Sequence, residues 1–155
     1  MNRSRSSPSY SLQTTLRTLI GVHSARDAYS PKMQAAHDQF VGMTVRTSDE
    51  ANRAQLHPAV RVHAETGREA LFVNAQYTVG LDGWWAHESK LLLDHLFRHA
   101  TQPALTCRWH WEVGDVAFWD NRCVQHMAMG DIEGHRRAMH RTTVAGELPL
   151  APIRA

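Results

Sequence analysis

His126 closes the run Trp119-Asp120-Asn121-Arg122-Cys123-Val124-Gln125-His126, and two arginines, Arg137 and Arg141, follow it. A neutral imidazole on one strand, with guanidiniums on the next, can hold a metal ion beside a small dianion. If Gly130 and Gly134 lie in the turn of a hairpin, His126 faces Arg137 across the strand pair. Metal and anion would then be neighbours. On a strand, Arg137 and Arg141 share one face with their roots about 13 Å apart, at ~3.3 Å per residue. They can therefore serve two different anions, and a planar guanidinium grips a carboxylate or sulfonate through two parallel charge-assisted bonds.

Such groups need a folded body to place them. The chain has 155 residues, 43% of them hydrophobic, with five tryptophans, which is enough for one packed domain. Net charge is only +2 and the basic residues are scattered among acids, so no nucleic-acid partner is expected. Cys107 and Cys123 form neither a disulfide framework nor a CxxC metal pair, which fits a reducing cytoplasm. No apolar stretch approaches the roughly 20 residues that span a bilayer, so no membrane partner is expected. Residues 1–9, rich in serine and arginine, read as a disordered tail and 151–155 as a second one, leaving 10–150 as the domain.

Periodicity suggests the elements. Leu12, Leu16, Leu19 and Ile20 make a helical stripe over 10–22 that Gly21 would end. Residues 23–56 read as irregular, with Met33, Phe40, Val41 and Met43 as their buried points. Val60-Arg61-Val62-His63 and Ala70-Leu71-Phe72-Val73 alternate around Glu65-Thr66-Gly67-Arg68, which predicts a hairpin. Residues 85–100 form the clearest helix, with Leu91, Leu92, Leu96 and Phe97 inward and Pro103 beyond its end. His95 and His99 have the spacing of a helical zinc pair, but Leu96 and Phe97 between them point to core packing. From residue 105 the period changes to two, predicting strands over 105–112, 116–119, 123–127 and 137–144. Trp109, Trp111 and Trp119 are expected in the core, and Cys123 as a small buried hydrophobe. The expected class is mainly β with helices: a sandwich or jelly roll with one long inserted helix.

These segments carry a resemblance. The stretch from His57-Pro58 through Glu65-Thr66-Gly67-Arg68 to Phe72-Val73-Asn74, then Arg108-Trp109-His110-Trp111, Gly114-Asp115-Val116-Ala117-Phe118-Trp119-Asp120-Asn121-Arg122 and Arg136-Arg137-Ala138-Met139-His140-Arg141, resemble in order the taurine dioxygenase (TauD/TfdA) family. Residues 57–149 carry it strongly and 10–22 more weakly. The resemblance implies a double-stranded β-helix (jelly roll, cupin-like), iron(II), the cosubstrate 2-oxoglutarate, O2, and hydroxylation of a small anionic substrate: a sulfonate, sulfate ester or carboxylate. It implies that His126 is the distal histidine of the iron triad, that Arg137 pairs with the far carboxylate of 2-oxoglutarate, that Arg141 grips the substrate anion, and that Tyr77 lines the substrate pocket.

A facial triad also needs a second histidine and a carboxylate. The resemblance implies that this His-x-Asp or His-x-Glu pair lies upstream of residues 10–22. His63-Ala64-Glu65 and His110-Trp111-Glu112 have the spacing, but both fall in segments that match other parts of the family. The chain is therefore expected to be a truncated, C-terminal portion of such an enzyme, a partial β-helix whose open sheet edges favour self-association or aggregation. The alternative is a non-catalytic β-helix remnant or partner-binding module.

Overall fold

Ser9 stands just ahead of the first apolar stripe, and its hydroxyl accepts the Leu12 amide hydrogen at 3.3 Å, capping helix α1 (Tyr10–Leu16). The structure, a computed structural model, describes residues 8–39, 44–129 and 138–152. The helix ends at Leu16, and Ile20–Ser24 forms strand β1 instead of a continued helix. Gly21 is not a cap but a strand residue. A side chain there would meet the His23 ring at 2.9 Å, so the imidazole in its present place would have to shift.

The polar stretch that follows holds short helices α2 (Arg26–Tyr29) and α3 (Gln34–His37), with 3-10 turns at Pro31–Met33 and Asp49–Asn52. Met33 is half-buried, whereas Phe40, Val41 and Met43 lie outside the described residues. Strand β2 (Ala54–Pro58) pairs antiparallel with β1, Val22 facing Leu56. Strands β3 (Val60–Val62) and β4 (Glu69–Leu71) form the expected hairpin, Val60 opposite Leu71 and Val62 opposite Glu69, and Gly67 takes the positive φ of its turn. Strand β5 (Thr78–Leu81) pairs antiparallel with the other edge of β1, giving the order β2-β1-β5.

Helix α4 (Ala86–Ala100) covers this sheet. The Glu88 carboxylate accepts the Trp85 amide hydrogen at its start, and the buried Ser89 hydroxyl accepts the Leu81 amide hydrogen, tying α4 to β5. Its buried face runs through Ser89, Leu93 and Leu96, with Leu92 and Phe97 beside it. Leu91, expected inside, is 74% exposed, because it lies two residues from both Ser89 and Leu93 and so about 200° around the helix. Leu93 and Leu96 join Leu16, Leu19, Ala59, Val73 and Leu81 in one core. None of the described helices is long and apolar enough to cross a membrane.

The expected strands after residue 105 form no ladders among the described residues. Among the described residues, 106–149 contain turns at Gly114 and after Asp120 and otherwise run unpaired, until Leu150 bridges to Val62. Val116 is 90% and Phe118 94% exposed; Trp109 and Trp111 are exposed as well, and Trp119 is half-buried. Alternation records that one face of a segment is suited to burial, but it does not supply the neighbouring strand. The described residues are thus a mixed arrangement of sheets and helices. The hairpin that would set His126 against Arg137 runs through residues 130–137, outside the described residues. Of the expected tails, Ser9 belongs to the α1 cap and Pro152 is buried.

On the hairpin side of the sheet, aromatic and basic groups gather around Phe72. The His23 ring stacks on it at 5.7 Å, His57 meets it edge-on at 5.8 Å, and the Arg61 guanidinium lies over it at 5.1 Å. His23 Nε2 is buried with no hydrogen-bond partner among the described residues. Burial, helped by His57, pulls the His23 pKa down from 6.5 to about 4.

This packing has measurable consequences. Leu96→Ala should cost about 2–5 kcal/mol in urea unfolding, whereas Leu91→Ala should change stability by no more than about 0.5 kcal/mol. In the unfolded chain His23 takes up its proton near pH 6.5, but the folded chain resists until about pH 4. The contribution of neutral His23 is therefore whole above pH 6.5 and is lost as pH falls toward 4. Urea midpoints measured across that window should drop more steeply in the wild type than in His23→Phe; identical slopes would rule out His23 as the source.

Candidate functional site

Tyr77 is placed by a turn that Asn74 makes with its own side chain. The Asn74 carboxamide oxygen accepts the amide hydrogens of Gln76 (3.1 Å) and Tyr77 (2.8 Å), and the Thr78 hydroxyl accepts that of Asn74. The Tyr77 carbonyl then accepts the Ser24 amide hydrogen at 2.8 Å, fixing the turn to the end of β1. The Ser24 hydroxyl donates to the Ala51 carbonyl and accepts the Arg26 amide hydrogen, which anchors the start of α2. At the other end of α2, Tyr29 stacks on His37, and its phenol acts on that of Tyr77. The charge of Arg141 is felt at the same phenol. Of the residues expected to hold substrate, Arg141 thus lies within electrostatic range of the Tyr77 phenol. Tyr29 is an addition that sequence reading missed; its only signal was an aromatic residue alone in a polar stretch before Ser30-Pro31.

His126 lies exposed against Trp119, with ring centroids 4.7 Å apart, and the Trp119 indole donates to the Asn121 carboxamide. Its neighbour Gln125 donates to the Val73 carbonyl at 2.7 Å, anchoring this segment beside the Asn74 turn. Between Trp119 and His126 the chain turns on Asp120, whose carbonyl accepts the amide hydrogens of Cys123 and Val124. The Asp120 carboxylate accepts from the Arg122 guanidinium (2.7–3.0 Å), the Arg122 amide (2.8 Å) and His63 Nε2 (2.9 Å). Those bonds, Arg122 first and His63 next, hold its pKa well below the usual carboxylate range. An ionised Asp120 accepts, so His63 carries its proton on Nε2. Arg122 reaches on to Glu65 at 3.1 Å and Glu147 at 3.6 Å, and Glu147 to the buried Arg61 at 3.0 Å.

A facial triad at His126 would need two further donors. Among the described residues, three candidate donors gather at His63, Asp120 and Cys123, whose ligand atoms lie within 4.8 Å of one another, and His126 is not one of them. There Asp120 is already matched by the Arg122 guanidinium. The described residues therefore offer an iron ion the single imidazole of His126 and do not fit a complete triad. Arg137 lies outside the described residues. Cys123, expected to be buried, is exposed, because the turn on Asp120 faces outward.

Residues 9–143 match the family described as taurine catabolism dioxygenase TauD, TfdA family. A sulfate ester dioxygenase dependent on alpha-ketoglutarate, from Pseudomonas putida, is 42% identical over 94 residues, covering 61% of this chain and 31% of its own length. A 2,4-dichlorophenoxyacetate dioxygenase with the same dependence, from a Burkholderia species, is 34% identical over 122 residues, 76% of this chain and 41% of its own. The crystal structure of a taurine dioxygenase from Burkholderia xenovorans superposes with a TM-score of 0.55 at 34% identity, over 75% of this chain and 33% of that one. The chain thus spans well under half the length of these relatives.

Burial and the neighbouring Tyr29 phenol push the Tyr77 phenol above its ordinary value of 10, against an opposing pull from Arg141. In an ultraviolet pH titration, one of the three tyrosines should ionise late. Tyr77→Phe should remove that phase and Arg141→Ala should delay it; a titration unaltered by Arg141→Ala would separate the two residues.

Proposed function

Because the chain belongs to the taurine catabolism dioxygenase TauD, TfdA family, we propose that it is the anion-gripping part of an iron(II)- and 2-oxoglutarate-dependent dioxygenase acting on a small organic anion. The observation that carries this reading is the family match over residues 9–143, and the charge of Arg141 acting on the Tyr77 phenol is in keeping with it. A guanidinium suits the terminal oxygens of a sulfonate, sulfate ester or carboxylate. The relatives named above carry such groups in their names: taurine, a sulfate ester and a phenoxyacetate.

In this reading Arg141 binds the substrate anion, Tyr77 and Tyr29 wall its organic part, and Arg137 pairs with the far carboxylate of 2-oxoglutarate. His126 supplies one nitrogen to iron, and the remaining donors come from outside the described residues. When bound, iron(II) and 2-oxoglutarate would supply the oxidising equivalents for inserting an oxygen atom from O2 into a C–H bond. This chain's own residues bind and orient: a substrate held at its anionic end presents a fixed carbon, and orientation of that kind lowers the barrier without new chemistry. The unpaired, alternating segments after residue 105 are in this reading strands of a partial double-stranded β-helix. The likeness to the Burkholderia xenovorans taurine dioxygenase structure supports this.

Titrating the chain with an alkyl sulfate, an alkyl sulfonate and a carboxylate should show saturable binding by calorimetry for at least one. Arg141→Ala should weaken it at least tenfold, since a charge-assisted bond is worth about 1.5–3 kcal/mol. Arg141→Lys should restore only part, because the ammonium lacks the fork. Succinate release dependent on iron(II) and abolished by Arg137→Ala would establish turnover. Binding unaffected by Arg141→Ala, with no succinate formed, would favour a non-catalytic module.

A further inference from the structure

We infer that Asp120 is a positioning residue for His126, acting through a turn that His63, Glu65 and Arg122 hold in place. The inference rests on the reading of His126 as a metal donor and adds what fixes its direction. Among the described residues no strand ladder holds the segment: 119–127 runs unpaired there, and Met127 beside His126 is 79% exposed. The placement of the imidazole therefore depends on a few side-chain contacts. Gln125 is fixed to Val73 on one side, and the other side is the turn closed by the Asp120 carbonyl on Cys123 and Val124.

That turn is held by charge. Both carboxylate oxygens of Asp120 are engaged by Arg122, and one also by His63, whose side chain is only 10% exposed at the end of the β3–β4 hairpin. Arg122 is in turn held by Glu65 from the same hairpin. The turn brackets the contact of interest, with Trp119 immediately before it, His126 shortly after it, and the two rings 4.7 Å apart. The spacing His63-Ala64-Glu65, which resembles a metal-binding pair, thus serves a structural purpose, since its imidazole holds Asp120 and its carboxylate holds Arg122.

Nuclear Overhauser contacts between the Trp119 indole and the His126 ring, measured on the labelled full chain, test this. Wild type should show them. Asp120→Asn should lose them while still melting cooperatively, because Arg122 and His63 no longer share a charged acceptor. Glu147→Gln, which loosens the outer end of the same network, should lower Tm and leave the contacts intact. Contacts that survive Asp120→Asn, or that vanish equally in Glu147→Gln, would overturn the proposal. If Asp120→Asn does not fold, His63→Leu, which spares the Asp120–Arg122 pair, should weaken the contacts at least twofold, and no change would count against it. Anaerobic iron(II) separates the two ideas: broadening of the His126 ring signals supports it as a donor. Absence of broadening with the contacts behaving as expected removes the donor reading and leaves the positioning by Asp120 standing.

Discussion

Burying the Arg61 guanidinium is the constraint around which the two halves of the described chain are arranged. Its side chain is 4% exposed on β3, and a buried cation needs a partner and a polarisable surface to offset lost hydration. Glu147, far along the sequence, supplies the carboxylate, and the Phe72 ring supplies the surface. The consequences spread both ways. Toward the sheet, the charge of Arg61 adds to burial in keeping the neighbouring His57 neutral. Toward the C-terminal segment, Glu147 also meets Arg122, so the hairpin, the Asp120 turn and the bridge at Leu150 share one electrostatic seam.

What the sequence reveals of this fold follows the range of the interactions concerned. The β3–β4 hairpin is legible because its strands, its turn and its glycine lie within one short window. Helix α4 is legible too, but not the outward position of Leu91: a run of three leucines satisfies several helical faces, and the choice of Leu93 depends on Ser89 and β5. Residues 10–22 read as one helix because Leu19 and Ile20 continue the stripe of α1. The chain turns there because β2 and β5 both claim β1, a pairing no local window contains. The extended character of 105–127 is visible in its alternation, but an alternating segment carries no information about which strand lies beside it.

The site is legible to a different degree. Tyr77 and Arg141 stand out through a family resemblance, and the charge of Arg141 acts on the Tyr77 phenol. Tyr29 escapes notice because its partner is distant in sequence and its surroundings are polar. His63 and Glu65 draw attention for the wrong reason: imidazole-spacer-carboxylate is a metal-ligand spacing, and here it serves a salt-bridge network. Spacing alone cannot tell these uses apart, because both need an imidazole and a carboxylate on one strand end. The Arg122 guanidinium, from a remote segment, decides between them.

The Asn74 turn has a bearing on how this site can diversify. Asn74 and Thr78 form the turn with their side chains, and Tyr77 enters it only through its backbone amide and carbonyl. The turn itself therefore does not depend on the ring at position 77. Over evolutionary time the side chain at position 77 can be exchanged for a larger, smaller or more polar one while β5 keeps its register, so the surface beside the turn can change without a matching cost to folding.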